Sequence, residues 1–183
     1  TAVLDRVAER LAALPEKGRA GLRAWLYRKA LWAVRELSFK NPLLDFAEIL
    51  VIKRAPTLFP HVSDQYYGWF ARGGGGIYLL SGFRNGTPQV RCVTEGWPAG
   101  NFLRPCLSYD GRRLLFAYAR YYPHVADIPD KTDKEALPED AFYHVFEMAV
   151  DGADVRQLTH GHYDDFDARY LPDGDIVFLS TRK

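Results

Sequence analysis

His160-Gly161-His162-Tyr163-Asp164-Asp165-Phe166-Asp167 is the densest group of potential ligands in the chain. Imidazole nitrogens mixed with carboxylate oxygens suit zinc, iron or manganese, whereas carboxylates with backbone carbonyls suit calcium. His160, His162, Asp164 and Asp165 are therefore the candidate metal ligands, with a purely structural role in a strand-to-strand passage as the alternative. A second cluster, His61-Val62-Ser63-Asp64-Gln65-Tyr66-Tyr67-Gly68, puts polar and aromatic groups in a loop, where binding residues concentrate. His61, Asp64, Gln65, Tyr66 and Tyr67 are candidates to receive a sugar or a peptide. In the competing account the two tyrosines cap neighbouring strands and Asp64 fixes the loop.

Other signals lead away from chemistry. Gly73-Gly74-Gly75-Gly76 has the composition of a phosphate cradle, but Ile77-Tyr78-Leu79-Leu80 follows it, and a phosphate loop needs a helix amino terminus there. No Gly-x-Ser-x-Gly elbow occurs, and Ser63, His61 and Asp64 stand too close together to be read as a triad. No catalytic group is identified. Cys92 and Cys106 form neither a CxxC pair nor a zinc spacing nor a CxxCH haem-attachment site. They are read as two free thiols, or as one disulfide if the compartment is oxidising.

The 183 residues are 48% hydrophobic and 14% aromatic, enough for a real core, and the formal charge of +1 gives no reason to expect nucleic acid as a partner. No apolar run approaches the roughly 20 residues that span a bilayer, so no transmembrane segment is expected, and the amino terminus lacks the apolar region of a signal peptide. Thr1 in place of Met suggests a start inside a longer product.

Residues 1–40 read as a helical lead segment. Val3, Val7, Leu11 and Leu14 recur at helical spacing until Pro15, and Leu22, Trp25, Leu26, Ala30, Ala33, Val34 and Leu37 trace a second stripe ended by Asn41-Pro42. Arg23, Arg28, Lys29 and Arg35 against Glu36 suit an anionic membrane or an acidic partner, or simply a solvated face. From residue 41 to 183 the period changes to two, with Asn85-Gly86, Asp110-Gly111 and Asp151-Gly152 as tight turns between antiparallel strands.

A repeat organises these strands. Leu107-Ser108-Tyr109-Asp110-Gly111-Arg112-Arg113-Leu114-Leu115-Phe116 superposes on Tyr170-Leu171-Pro172-Asp173-Gly174-Asp175-Ile176-Val177-Phe178 with one deletion, and each copy runs on to an arginine, Arg120 or Arg182. Asp110, Gly111, Asp173 and Gly174 are thus structural turn residues. The spacing of 63 (173 − 110) exceeds the roughly 40–45 residues of common propeller blades. Tyr121 to Asp140, rich in Pro, Asp and Lys, reads as the surface insertion behind the excess. Glu48 to Arg54 parallels Asp175 to Arg182 as a third, partial copy. Sheets that cannot cover both faces alone stack on their neighbours, so the fold class is mainly β, a partial β-propeller of about two and a half four-stranded antiparallel blades behind the helical segment.

Phe166 to Ser180, with Phe146 to Gly152 and Val155 to Thr159, resembles the TolB-like propeller repeat. Asn41 to Phe46, Ile49 to Arg54, Asp64 to Gly68, the glycine run and Leu107 to Gly111 are similar to the hydrazine synthase alpha subunit middle domain and its planctomycete-type relatives. The resemblance implies that Asp167 is a structural aspartate bonding the turn backbone. It implies a non-catalytic scaffold or binding module of a larger extracytoplasmic, periplasmic bacterial protein, whose partners are the remaining blades or another protein. The alternative is the propeller domain of a haem-dependent redox enzyme with its haem elsewhere, since no cofactor is expected in this chain beyond the candidate metal ion.

Overall fold

A computed structural model of the chain describes residues 2–13, 20–56, 67–68, 72–130 and 132–183. The chain folds as two units, Thr1–Ala47 with Arg84–Thr87, and Glu48–Phe83 with Pro88–Lys183.

In the first unit, α1 (Ala2–Ala12) packs on α2 (Ala20–Ser38), with Val7 and Leu26 buried. A 3-10 turn, Pro42–Leu44, follows, and Asn41 caps it by accepting the Leu43 N–H at 3.0 Å. The apolar stripe expected along α2 is mostly uncovered: Trp25, Val34 and Leu37 are exposed, as are Tyr27, Leu31 and Trp32. Three basic side chains lie over these rings. Arg10 and Lys29 sit 5.7 and 5.6 Å from the Trp25 ring, and Arg35 sits 5.0 Å from that of Trp32. Among the described residues no helix is long and apolar enough to cross a membrane.

The second unit is β throughout, with nine strands in three antiparallel sheets among the described residues. Sheet A is β1 (Glu48–Arg54), β2 (Gly75–Ser81) and β3 (Gln89–Cys92). Sheet B is β4 (Gly100–Leu107), β5 (Arg113–Arg120), β6 (His144–Ala149) and β7 (Arg156–Gln157). Sheet C is β8 (Asp165–Tyr170) and β9 (Ile176–Ser180). Each sheet is a meander in chain order, with connections of five or six residues in the pairs β4–β5, β6–β7 and β8–β9 and long ones between β1 and β2 and between β5 and β6.

Sheet B is the middle layer. Its residues Phe102, Leu114, Phe116, Tyr118 and Met148 pack with Ile77, Leu79 and Val93 of sheet A. Trp97 stands edge-on to Phe102, Phe116, Tyr118 and Phe146, with centroids 4.9 to 5.7 Å away. On the opposite side, Leu103, Ala117, Ala119 and Tyr143 meet Phe166, while Leu115 and Val145 meet Ala168, Ile176 and Phe178 of sheet C. The stretch from Tyr121 to Asp140 forms 3-10 turns (Pro123–Asp127, Lys134–Ala136) around a small core of its own, in which Val125 and Leu137 pack with Phe142.

The duplicated turns have the same wiring. Gly111 and Gly174, at φ 69° and 96°, donate to the carbonyls of Ser108 and Leu171 at 2.9 and 3.0 Å. Asp110 and Asp173 accept the N–H groups of Arg112 and Asp175 at 3.0 and 3.1 Å. The inner strands also bulge alike. Arg104-Pro105 stands opposite Phe116, and Asp167-Ala168 opposite Phe178. Sheets A and B share a threonine latch, in which Ile77 and Val145 donate to the Oγ1 of buried Thr94 and Thr159 at 3.1 and 2.9 Å.

Alanine at Gly111 or Gly174 meets no atom within 4 Å, so only the left-handed backbone opposes it. Each substitution is expected to cost about 1–2 kcal/mol in urea unfolding, by the same amount within error. Clearly unequal losses would contradict the equivalence of the two turns.

Candidate functional site

The loop between β7 and β8, together with the first residue of β8, carries the candidate metal ligands, and the structure gives them different partners. The His160 side chain is largely exposed, with Nδ1 3.2 Å from Gln157 Nε2 and 3.9 Å from Glu139 Oε1. His162 Nδ1 is 3.6 Å from Glu135 Oε2, and its ring stands edge-on to Phe142. Both histidines therefore face the 3-10 turns Lys134–Ala136 and Glu139–Ala141, and Glu139 Oε1 accepts the Gly161 N–H at 2.7 Å.

The two aspartates are buried. Asp164 Oδ1 accepts the N–H groups of Gly68 and Tyr143, both at 2.9 Å, and its own N–H donates to Thr181 Oγ1 at 3.0 Å. Asp165 holds Arg182 by both guanidinium nitrogens, at 3.0 and 2.8 Å, and Arg182 also donates to the His160 carbonyl at 2.6 Å. Successive side chains of an extended chain leave on opposite faces, so neighbouring Asp164 and Asp165 do not converge on one ion. Among the described residues no group of three or more His, Cys, Asp or Glu is placed to hold a metal.

Asp167 is where the inner strand of sheet C bulges, at φ 59°, and it takes no backbone amide. Its carboxylate pairs with Arg104 at 2.8 Å and with Arg169 at 2.6 Å. Arg104, at φ 43°, is the corresponding bulge residue of sheet B, 63 positions earlier (167 − 104). Equivalent positions of two sheets thus pair with each other, and the aspartate that binds backbone is Asp164, three residues before Asp167.

In the second candidate cluster His61, Asp64, Gln65 and Tyr66 lie outside the described residues. Tyr67 is exposed. Gly68 is buried, and a side chain there would collide with the Ala141 carbonyl oxygen and the Ala119 methyl group, so glycine is what lets this backbone reach Asp164. Cys92 and Cys106 are free thiols.

Several functional-looking groups carry no motif in the sequence. Glu147, almost fully buried on β6, bonds Arg156, lies 3.0 Å from Arg113 and accepts the Tyr170 hydroxyl at 2.8 Å. Burial opposes its ionisation, yet Arg156, Tyr170 and Arg113 together hold its carboxyl below the usual range. Arg156 and Thr159 were findable: Val90-Arg91-Cys92-Val93-Thr94 matches Val155-Arg156-Gln157-Leu158-Thr159, a second repeated segment. Asn101 was findable too, because it precedes Asp164 by the same 63 residues (164 − 101). It is 1% exposed, and its Nδ2 has no hydrogen-bond partner.

No protein-family model, curated protein or solved structure matches the chain. The polar contacts around residues 160–169 tie strands, turns and loops to one another, so the geometry is that of a junction between sheets.

Burial pushes the Asp164 carboxyl up to about 6, against the two amides that favour its charged form. A folded-state value above the unfolded one means that the stability linked to this group is fully present below about pH 4 and is lost as pH rises through about 6. The shift corresponds to about 3 kcal/mol. Asp164→Asn keeps an oxygen for both amides and matches the residue at position 101. Its urea midpoint is expected to gain on the parent between pH 4 and pH 7, and midpoints that stay parallel across that range would contradict the assignment.

Proposed function

We propose that this chain is a stretch of a β-propeller of the TolB-like kind, serving as a non-catalytic scaffold and binding module in a larger extracytoplasmic bacterial protein. One observation carries the reading. Sheet B has four strands in meander order, sheet A has the counterparts of its second to fourth strands, and sheet C those of its first and second. The shared bulges of β4 and β8, the shared turns and the shared threonine latches align the strands in that phase.

In this reading each sheet is a blade and β4 and β8 are innermost. The free edge of β1 receives an inner strand, and the free edge of β9 receives the third strand of its blade. The partners are then the remaining blades, of the same polypeptide or of another. Loops between blades bind the partner or small ligand, and no residue of the junction is assigned a catalytic role.

Hydrogen exchange compares the two edges directly. The outward amides of β1 and β9 are expected to exchange fast in the 183-residue chain and to gain roughly tenfold or greater protection in the full-length gene product. Unchanged exchange at both edges in the full-length protein would sink the propeller reading.

A further inference from the structure

Along α2, Trp25, Arg28, Leu31, Trp32 and Arg35 recur at spacings of three and four residues, so they form one stripe on the helix surface. Leu22, Leu26, Ala30 and Ala33 form a second stripe, and that one is buried or half-buried. The large apolar members of the first stripe stand in water, with Trp25 41% exposed, Leu31 49% and Trp32 55%. Arg28 and Trp32 line two grooves. One, of about 410 Å³, is completed by Trp25, Lys29 and Glu36, and the other, of about 210 Å³, by Leu31 and Arg35.

Charge narrows what such a stripe can meet. Residues 1–40 hold nine Lys and Arg against four Asp and Glu, whereas the other 143 residues hold fifteen against nineteen. The near-neutral chain is therefore a cationic helical segment joined to a slightly acidic remainder, and the segment is the part that attracts an anionic surface. A second copy of the stripe would set like charge against like charge. Nucleic acid stacks its bases on open rings, but Arg10 and Lys29 lie over Trp25, and Arg35 lies over Trp32. An anionic lipid surface suits both halves of the pattern. Tryptophan favours the level of the headgroups, leucine reaches the acyl boundary, and Lys and Arg rest their stems on apolar surface while their charges meet phosphate. With Arg23, Arg28, Lys29, Arg35 and Glu36 among its nineteen residues, α2 fits the surface of a bilayer and not its interior.

We propose that α2 docks the chain on a bilayer containing anionic lipid, with Trp25, Leu31 and Trp32 at the headgroup–acyl boundary and Arg28, Lys29 and Arg35 on lipid phosphates. The inference rests on the first unit alone, so it stands whether or not the sheets close into a ring.

The test is flotation of the 183-residue chain with vesicles of phosphatidylcholine alone, or of phosphatidylcholine with roughly one-third phosphatidylglycerol. Tryptophan fluorescence is read in the same vesicles carrying brominated acyl chains. Binding is expected to the anionic vesicles only, with bromine quenching the emission. Arg28→Gln and Lys29→Gln are each expected to weaken it about fivefold. Leu31→Ala and Trp32→Ala keep the charge and are expected to weaken it by about as much. Because both side chains are half in water, the variants should match the parent in helix content, by circular dichroism without lipid. Soluble polyglutamate is expected to bind weakly, and equally to the parent and to these two variants. Equal binding to both kinds of vesicle, or no binding to either, would overturn the proposal. Anionic binding that bromine does not report and that Leu31→Ala and Trp32→Ala leave unchanged would overturn it too, and would assign the stripe to an acidic protein.

Discussion

Leu114, Phe116 and Tyr118 leave β5 on one side and Leu115, Ala117 and Ala119 on the other, and all six are removed from water. An antiparallel sheet usually keeps one face wet, and its strands then alternate apolar with polar residues. Sheet B cannot, so it must be covered twice. Sheet A covers one face through Ile77, Leu79 and Val93, and sheet C covers the other through Ala168, Ile176 and Phe178. Area removed from water, at roughly 25 cal/mol per Å², is the main force behind the three-layer arrangement.

Polar groups caught between layers must then find partners inside the stack. Asp164 answers the amides of Gly68 and Tyr143, Thr94 and Thr159 answer Ile77 and Val145, and Glu147 gathers two arginines and a tyrosine. Of the candidate metal ligands, Asp164 and Asp165 are engaged in this way, the first by two amides and the second by Arg182.

The strands and turns were legible because their signals are local. Asp-Gly fixes a left-handed residue between two alternating runs, and the copies at 110 and 173 fold alike for that reason. The roles of the aspartates were not legible. The bulges at Arg104-Pro105 and Asp167-Ala168 shift the phase of each inner strand, so alternation alone cannot say which carboxylate of residues 164, 165 and 167 faces inward. The pairing of Arg104 with Asp167 needs two strands brought side by side, and Glu147 depends on three partners from three strands. In α2 the apolar stripe predicted a buried face, but apolar residues recur around much of the helix and only Leu26 is fully buried.

Double coverage of the middle sheet is most directly measured at two neighbouring leucines that point opposite ways. Leu114→Ala opens the face towards sheet A and Leu115→Ala the face towards sheet C, and both side chains are 0% exposed. Three stacked layers predict that each variant loses about 2–5 kcal/mol in urea unfolding. A loss below about 1 kcal/mol at either position is what a surface leucine would give, and it would contradict the account.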